Sequence, residues 1–252
     1  MSSEKVKKNF SKYNSRYVLT GILLVIFLIA GVLFLKQWRA DQRAKRPTPL
    51  PEVAYYPVPK TRGPDDAPIK LVEYSDFECP ACRAAEGALS ELFLMYPGKI
   101  QLTYHHFPLS SHKWSPYAHQ AAECMHIQGK FWPYHDLLYR KQPEWVTGVP
   151  TPVETLVRYA SDCGADMDIF ESCMKDEAVT RGIDAEKEEG TRRQVNATPT
   201  VFFGDQRFIG PVAIRNECQN AIRKTLGLPP LSSIAAEVKA EPLAPEAAGN
   251  GK

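Results

Sequence analysis

Tyr74-Ser75-Asp76-Phe77-Glu78-Cys79-Pro80-Ala81-Cys82 joins an apolar, strand-like run, Ile69 to Tyr74, to a helical pattern that starts at Ala81. A Cys-x-x-Cys at such a junction sets two thiols on the first turn of a helix. Unpaired backbone N–H groups and the positive end of the helix dipole favour a thiolate there, which makes Cys79 the candidate nucleophile at neutral pH. Cys82, one turn further on, is the candidate resolving thiol. Pro80 suits the first helical position because the N–H it lacks would have no partner. A zinc site would need two more ligands at matching spacing, and no second Cys-x-x-Cys exists. A disulfide across two residues gains little from loop closure and makes a poor staple. The pair reads as a redox centre that uses its own disulfide, with no further cofactor and no metal.

Outward from the motif, the apolar pattern is β-α-β, a helical block, then β-β-α. Ile69 to Tyr74 and Ile100 to Phe107 are strands, and Ala81 to Tyr96 is a helix closed by Pro97-Gly98. The block from about 112 to 193 is helical in pattern, with breaks near Gly129, Gly148 to Pro152, Gly164 and Gly190. Thr200 to Phe203 and Arg207 to Ile209, separated by Gly204-Asp205-Gln206, form a hairpin signal, and Val212 to Leu226 an amphipathic helix.

The near-neutral charge of +2 over 252 residues gives no field pointing to nucleic acid. Val18 to Leu35 is an uncharged apolar run about long enough to cross a bilayer. It fits an uncleaved anchor better than a signal peptide, since it is followed by Lys36-Gln37-Trp38-Arg39 and not by a small-residue cleavage site. Lys5, Lys7, Lys8, Lys12 and Arg16 precede it, and Lys36, Arg39, Arg43, Lys45 and Arg46 follow, so charge does not set orientation. The thiol chemistry does: the N-terminus is expected in the cytoplasm and the folded part beyond the inner membrane. The expected organisation is a cytoplasmic segment 1–16, a transmembrane anchor 17–36, a proline-rich linker 37–65, an α/β domain 66–228 and a non-packing tail 229–252.

The element order resembles the thioredoxin fold with an inserted helical subdomain. Gly63 to Pro68, Tyr74 to Cys82, His106-Phe107-Pro108-Leu109, Gln128 to Trp132 with His135, and Ala197 to Thr200 are together similar to the DsbA family of extracytoplasmic thiol:disulfide oxidoreductases. The resemblance implies that Thr198-Pro199 is a cis-proline turn facing the cysteines, whose free backbone groups pair with an extended substrate. It implies that Glu73 is a buried carboxylate beneath the disulfide, able to exchange a proton with a thiol. It also implies reduced exported proteins as substrates and a quinone-linked, DsbB-like membrane partner as reoxidant.

Two departures oppose a strong oxidant: Pro80-Ala81 stands where those members carry a histidine, and Glu78 precedes Cys79. A reductase or isomerase using the same cysteines, and a tethered binding module without turnover, stay open. Among the other cysteines, Cys124 and Cys173 both lie in the helical block and are the favoured structural disulfide, while Cys163 and Cys218 fit free thiols as well as paired ones. The six histidines, clustered between His105 and His135, fit scattered packing and solvent-facing roles.

Overall fold

The computed structural model describes residues 3–44, 58–147 and 151–232. The chain divides into two units, Met1–Pro49 and Leu50–Lys252. In the first, α1 (Ser3–Ala44) is a single helix. Its Leu19–Arg39 stretch, with a mean hydropathy of 2.6, is long and apolar enough to cross a bilayer. The helix overruns the expected span 17–36 at both ends, because the flanking lysines and arginines are good helix formers.

The second unit is built on a five-stranded sheet of order β1-β3-β2-β4-β5. Its strands are β1 (Lys60–Arg62), β2 (Ile69–Ser75), β3 (Ile100–His106), β4 (Thr200–Phe203) and β5 (Gln206–Ile209). β2 and β3 run parallel, joined by the crossover helix α2 (Pro80–Met95), and the other pairs are antiparallel. Among the described residues, six helices are inserted between β3 and β4: α3 (Ser115–Ile127), α4 (Phe131–Arg140), α5 (Gln142–Val146), α6 (Pro152–Asp162), α7 (Met167–Cys173) and α8 (Glu177–Arg192). This is the thioredoxin-like α/β fold with a helical insertion.

Alternation along β2 positions the site. Ile69, Leu71, Glu73 and Ser75 share one face, and the two apolar members pack on Ala85, Ala88 and Leu89 of α2. The same row therefore carries a carboxyl and a hydroxyl toward the end of α2 that bears the cysteines. Tyr74 points to the opposite face, against Phe107, Val195 and Phe202.

Five expectations need correction. Residues 60–62 belong to the sheet and not to a linker: β1 pairs with β3 alone, and an edge strand tolerates neighbouring prolines because only one side needs backbone donors. The linker's first residues, through Ala44, are helical, and 45–57 lie outside the described residues. Gly190 sits inside α8 and does not break it; a Cβ there would come within 2.8 Å of Tyr74 and 2.9 Å of Phe107, so the missing side chain lets the helix approach the sheet. The last helix starts at Gly210 and passes through one π turn, Ile214–Cys218, before α9 (Gln219–Thr225). The tail is tied down as far as residue 231, where the Leu231 N–H donates to Asn220 Oδ1 at 3.0 Å; 233–252 lie outside the described residues.

Candidate active site

Cys79 caps α2 in an extended conformation, and Pro80 occupies the first helical position. The Thr198-Pro199 bond is cis. Its carbonyl side faces the motif: Cys79 Sγ lies 3.6 Å from the Thr198 carbonyl oxygen, within reach for the thiol to donate. The two thiols are unbonded, the reduced form of the pair. Cys79 is less open than expected for a helix N-terminus, at 7% exposure, while Cys82 is fully enclosed at 0%. Part of the cover is Gln142 of α5, whose Nε2 donates to the carbonyls of Phe77 and Cys79 at 2.8 and 2.9 Å.

The thiols are driven apart in acidity. A hydrogen bond from the Cys82 thiol outweighs burial at Cys79 and, with help from the Cys82 and Ala81 backbone and the Thr198 side chain, brings it down to about 5. Burial, reinforced by the charge of Cys79, pushes Cys82 well above the usual thiol range. No histidine between the cysteines is needed for this division. Glu78, expected to oppose the thiolate, uses Oε2 to accept the Trp114 N–H at 2.7 Å.

Glu73 is 1% exposed, in register with Tyr104 of β3 and Val201 of β4. Burial raises its carboxyl to about 7 against the pull of Ser75 and Arg62, and Oε2 has no hydrogen-bond partner. A carboxyl so poised can take or give a proton near neutrality.

Several residues of the site carried no role in the sequence reading. Asp76 accepts from the Glu78 and Leu109 N–H groups at 2.8 Å each, from Ser115 Oγ at 2.7 Å and pairs with His112 Nδ1 at 2.9 Å. Burial opposes its charge, but His119 and these donors hold its carboxyl well below the usual range. Asp76 thereby fixes the turn before Cys79, and its own N–H donates to Cys82 Sγ at 3.4 Å. Its place three residues before the first cysteine was the only signal available. Gln142 had none, because its partners are backbone carbonyls more than sixty positions away.

The histidines are more organised than expected. His106 bridges His119 (Nδ1 to Nδ1, 2.6 Å) and Glu123 Oε2 (2.9 Å). Lys60, at 2% exposure, meets the same Glu123 at 3.2 Å and also Glu186. These groups tie β1, β3, α3 and α8 together, as buried charges must be paired to be tolerated. Glu86, His135 and Asp136 cluster tightly enough to suggest a metal. Arg62 occupies that seat, with two bonds to Asp136 at 2.6 and 2.7 Å, and supplies the positive charge itself. Cys124 and Cys173 are joined by a disulfide between α3 and α7, and Cys163 and Cys218 are free.

A family model described as Thioredoxin matches residues 57–224. A thioredoxin-like oxidoreductase from Silicibacter pomeroyi superposes with a TM-score of 0.57 at 23% identity, over 69% of this chain and 95% of that one. Alpha-DsbA1 from Wolbachia pipientis gives 0.57 at 22% identity, over 74% and 96%. A Na(+)/H(+) antiporter, NhaA 3, from Salinispora tropica is 37% identical over 154 residues, which are 61% of this chain and 22% of that protein. The chain thus spans only about a fifth of that relative's length, and the antiporter's name describes a protein most of which has no counterpart here. With a family model matching residues 57–224, a helical insertion between β3 and β4 and a cis-proline facing a Cys-x-x-Cys, the chain belongs to the thioredoxin family and has the fold of its DsbA-like thiol:disulfide oxidoreductases.

Proposed function

We propose that the protein is a membrane-anchored, extracytoplasmic thiol:disulfide oxidoreductase that transfers a Cys79–Cys82 disulfide to reduced exported proteins. The observation that carries this reading is the split pair: Cys79 brought down to about 5 against the cis Thr198-Pro199 turn, beside a Cys82 pushed up by burial. A substrate thiolate attacks Cys79 Sγ, and Cys82 leaves as a thiolate that takes up a proton, with Glu73 as the nearby acid. A second substrate thiol, deprotonated, attacks the substrate sulfur of the mixed disulfide. The substrate disulfide forms and Cys79 departs as a thiolate, which its low pKa makes a good leaving group. The enzyme is left as the dithiol, and a membrane reoxidase of the quinone-linked kind would accept its two electrons. The apolar α1 supports anchoring, which would raise the effective concentration of such a partner.

Stabilising a thiolate stabilises the reduced enzyme and makes its disulfide more oxidising. Equilibration of the protein with glutathione buffers tests the direction of transfer. A potential near about −120 mV supports the oxidase, and one near about −270 mV, the thioredoxin value, would make the protein a reductant. Reporters fused after residue 232 test the topology; a cytoplasmic signal would overturn the extracytoplasmic placement.

A further inference from the structure

We infer that His119 is a buried imidazolium, formed by one extra proton on the His106–His119 pair, that keeps Asp76 ionised and so holds the turn carrying Cys79 and Cys82. The inference rests on the exchange reading above, in which Cys79 is the reacting sulfur. Every group in it is enclosed: His106, His119 and Asp76 at 0% exposure, Glu123 at 1% and Lys60 at 2%.

The contacts run in a line, and each fixes a proton. Glu123 Oε2 lies 2.9 Å from His106 Nε2 and 3.2 Å from Lys60 Nζ, so it accepts from both, and the first proton is on His106 Nε2. The two Nδ1 atoms are 2.6 Å apart, with room for one proton between them and no more. His119 Nε2 makes no hydrogen bond and meets Asp76 Oδ1 at 3.7 Å, an ion-pair distance. Without a proton there, a bare lone pair would face a carboxylate in a dry interior. With one, the two rings hold three protons and one positive charge.

Charge balance points the same way. Burial and Lys60 keep His106 neutral, which leaves the charge on His119. Asp76 and Glu123 are both held ionised, and Lys60 of β1 pairs with Glu123. Glu186 of α8 draws on the same lysine. His112 is partly exposed and faces the other oxygen of Asp76, Oδ2, at 2.9 Å. A buried carboxylate needs a counter-charge, and His119 is the one enclosed with it.

What the charge does follows from Asp76. Its two oxygens accept from the Glu78 and Leu109 N–H groups, Ser115 Oγ and His112 Nδ1. A protonated carboxyl would turn one accepting position into a donor and release one of those four. The Cys79 N–H donates to the Asp76 carbonyl at 3.1 Å, and the Asp76 N–H to Cys82 Sγ at 3.4 Å, so a shift of this turn moves both sulfurs. His119 is therefore a positioning residue that acts through Asp76.

The test uses the reduced full-length protein in detergent. With isotope-labelled histidine, long-range proton–nitrogen NMR reads which ring nitrogens carry protons. At pH 7, His119 should show both nitrogens protonated and His106 only Nε2; a bare nitrogen on His119 would overturn the charge. The pH midpoint of Cys79 alkylation by iodoacetamide reads the consequence. His119→Gln keeps a donor without the charge and should raise that midpoint by about half a unit, below the roughly 1–3 units of a charge in direct contact. The double variant with Asp76→Asn should have the midpoint of Asp76→Asn alone, because His119 acts through that carboxylate. Shifts that add in the double variant, or a midpoint unmoved by His119→Gln, would overturn the positioning role. If the variants do not fold, the wild-type spectrum alone decides whether the charge is there. Wild-type Cys79 that alkylates no faster than Cys163 would instead sink the exchange reading, whatever the histidines show.

Discussion

The two cysteine pairs of the second unit share one apolar cluster yet meet opposite fates. Cys124 and Cys173, both fully enclosed, close a loop of 49 residues as a disulfide. Cys79 and Cys82 stand in the same cluster as thiols. Burial does not separate them. What differs is the polar company: the Cys79–Cys82 pair is reached by the Asp76 N–H and the Thr198 carbonyl, and Gln142 clamps the adjoining backbone. Loop length separates them too. By chain entropy, a 49-residue loop gives its disulfide about 4 kcal/mol of stabilisation, and a loop across two residues about half of that. One pair is suited to hold the insertion together, the other to be made and broken.

The largest expected effect comes from the short pair. Cys79→Ser should abolish disulfide transfer to a reduced model protein, and Cys82→Ser should trap substrate on Cys79 as a mixed disulfide visible on non-reducing gels. Transfer by Cys79→Ser at a wild-type rate would mean that the reacting sulfur lies elsewhere. Removing the long pair with Cys124→Ser and Cys173→Ser should instead lower stability by about 4 kcal/mol in denaturant unfolding while Cys79 still reacts with iodoacetamide at low pH. Loss of Cys79 reactivity in a variant that remains folded would break the division of labour between the pairs.

How much of this could be read in the chain follows from the range of each interaction. The Cys-x-x-Cys, the β-α-β order and the hairpin are local, and the pattern of residues 69–107 and 200–209 carries them directly. β1 was missed because Lys60-Thr61-Arg62 is three residues long, polar and flanked by Pro59 and Pro64. Its burial is decided by Glu123 and Glu186, 63 and 126 positions away, which convert a solvated lysine into a core ion pair. Gly190 misled for a similar reason: within its own helix it is a breaker, and only Tyr74 and Phe107 explain it. The candidate site divides the same way, with Cys79 and Cys82 legible along the strand and helix, Glu73 supplied by the family resemblance, and Gln142 hidden in the insertion.

A smaller effect isolates the proton side of the short pair. Glu73 has its folded pKa raised from 4.5 to about 7, so its contribution to stability is present in full below about 4.5 and is lost as pH rises through 7. The loss is on the order of 3 kcal/mol. Glu73→Gln keeps the shape without the charge, so its stability relative to wild type should climb by about that amount between pH 4 and pH 8, read by urea midpoints at each pH. Parallel curves for the two proteins would show that Glu73 does not titrate with folding, and would remove it as the acid of the site.

The smallest expected signal is a silence, and it tests whether acidity rather than mere accessibility sets the two kinds of cysteine apart. Cys218 is free but enclosed in the apolar cluster beneath α2, and burial pushes it up to about 12. Cys163 is partly exposed, yet burial still raises its thiol. At pH 6.5 Cys79 is above its midpoint and chiefly thiolate, while these two are almost wholly protonated. Iodoacetamide added at that pH, followed by peptide mapping, should label Cys79 and leave Cys82, Cys163 and Cys218 unmodified. Exposure alone would predict the reverse for one of them, because Cys163 is more open to solvent than Cys79. Faster labelling at 163 than at 79 would therefore mean that access governs, and that the hydrogen bonds around Cys79 do not make it the stronger acid.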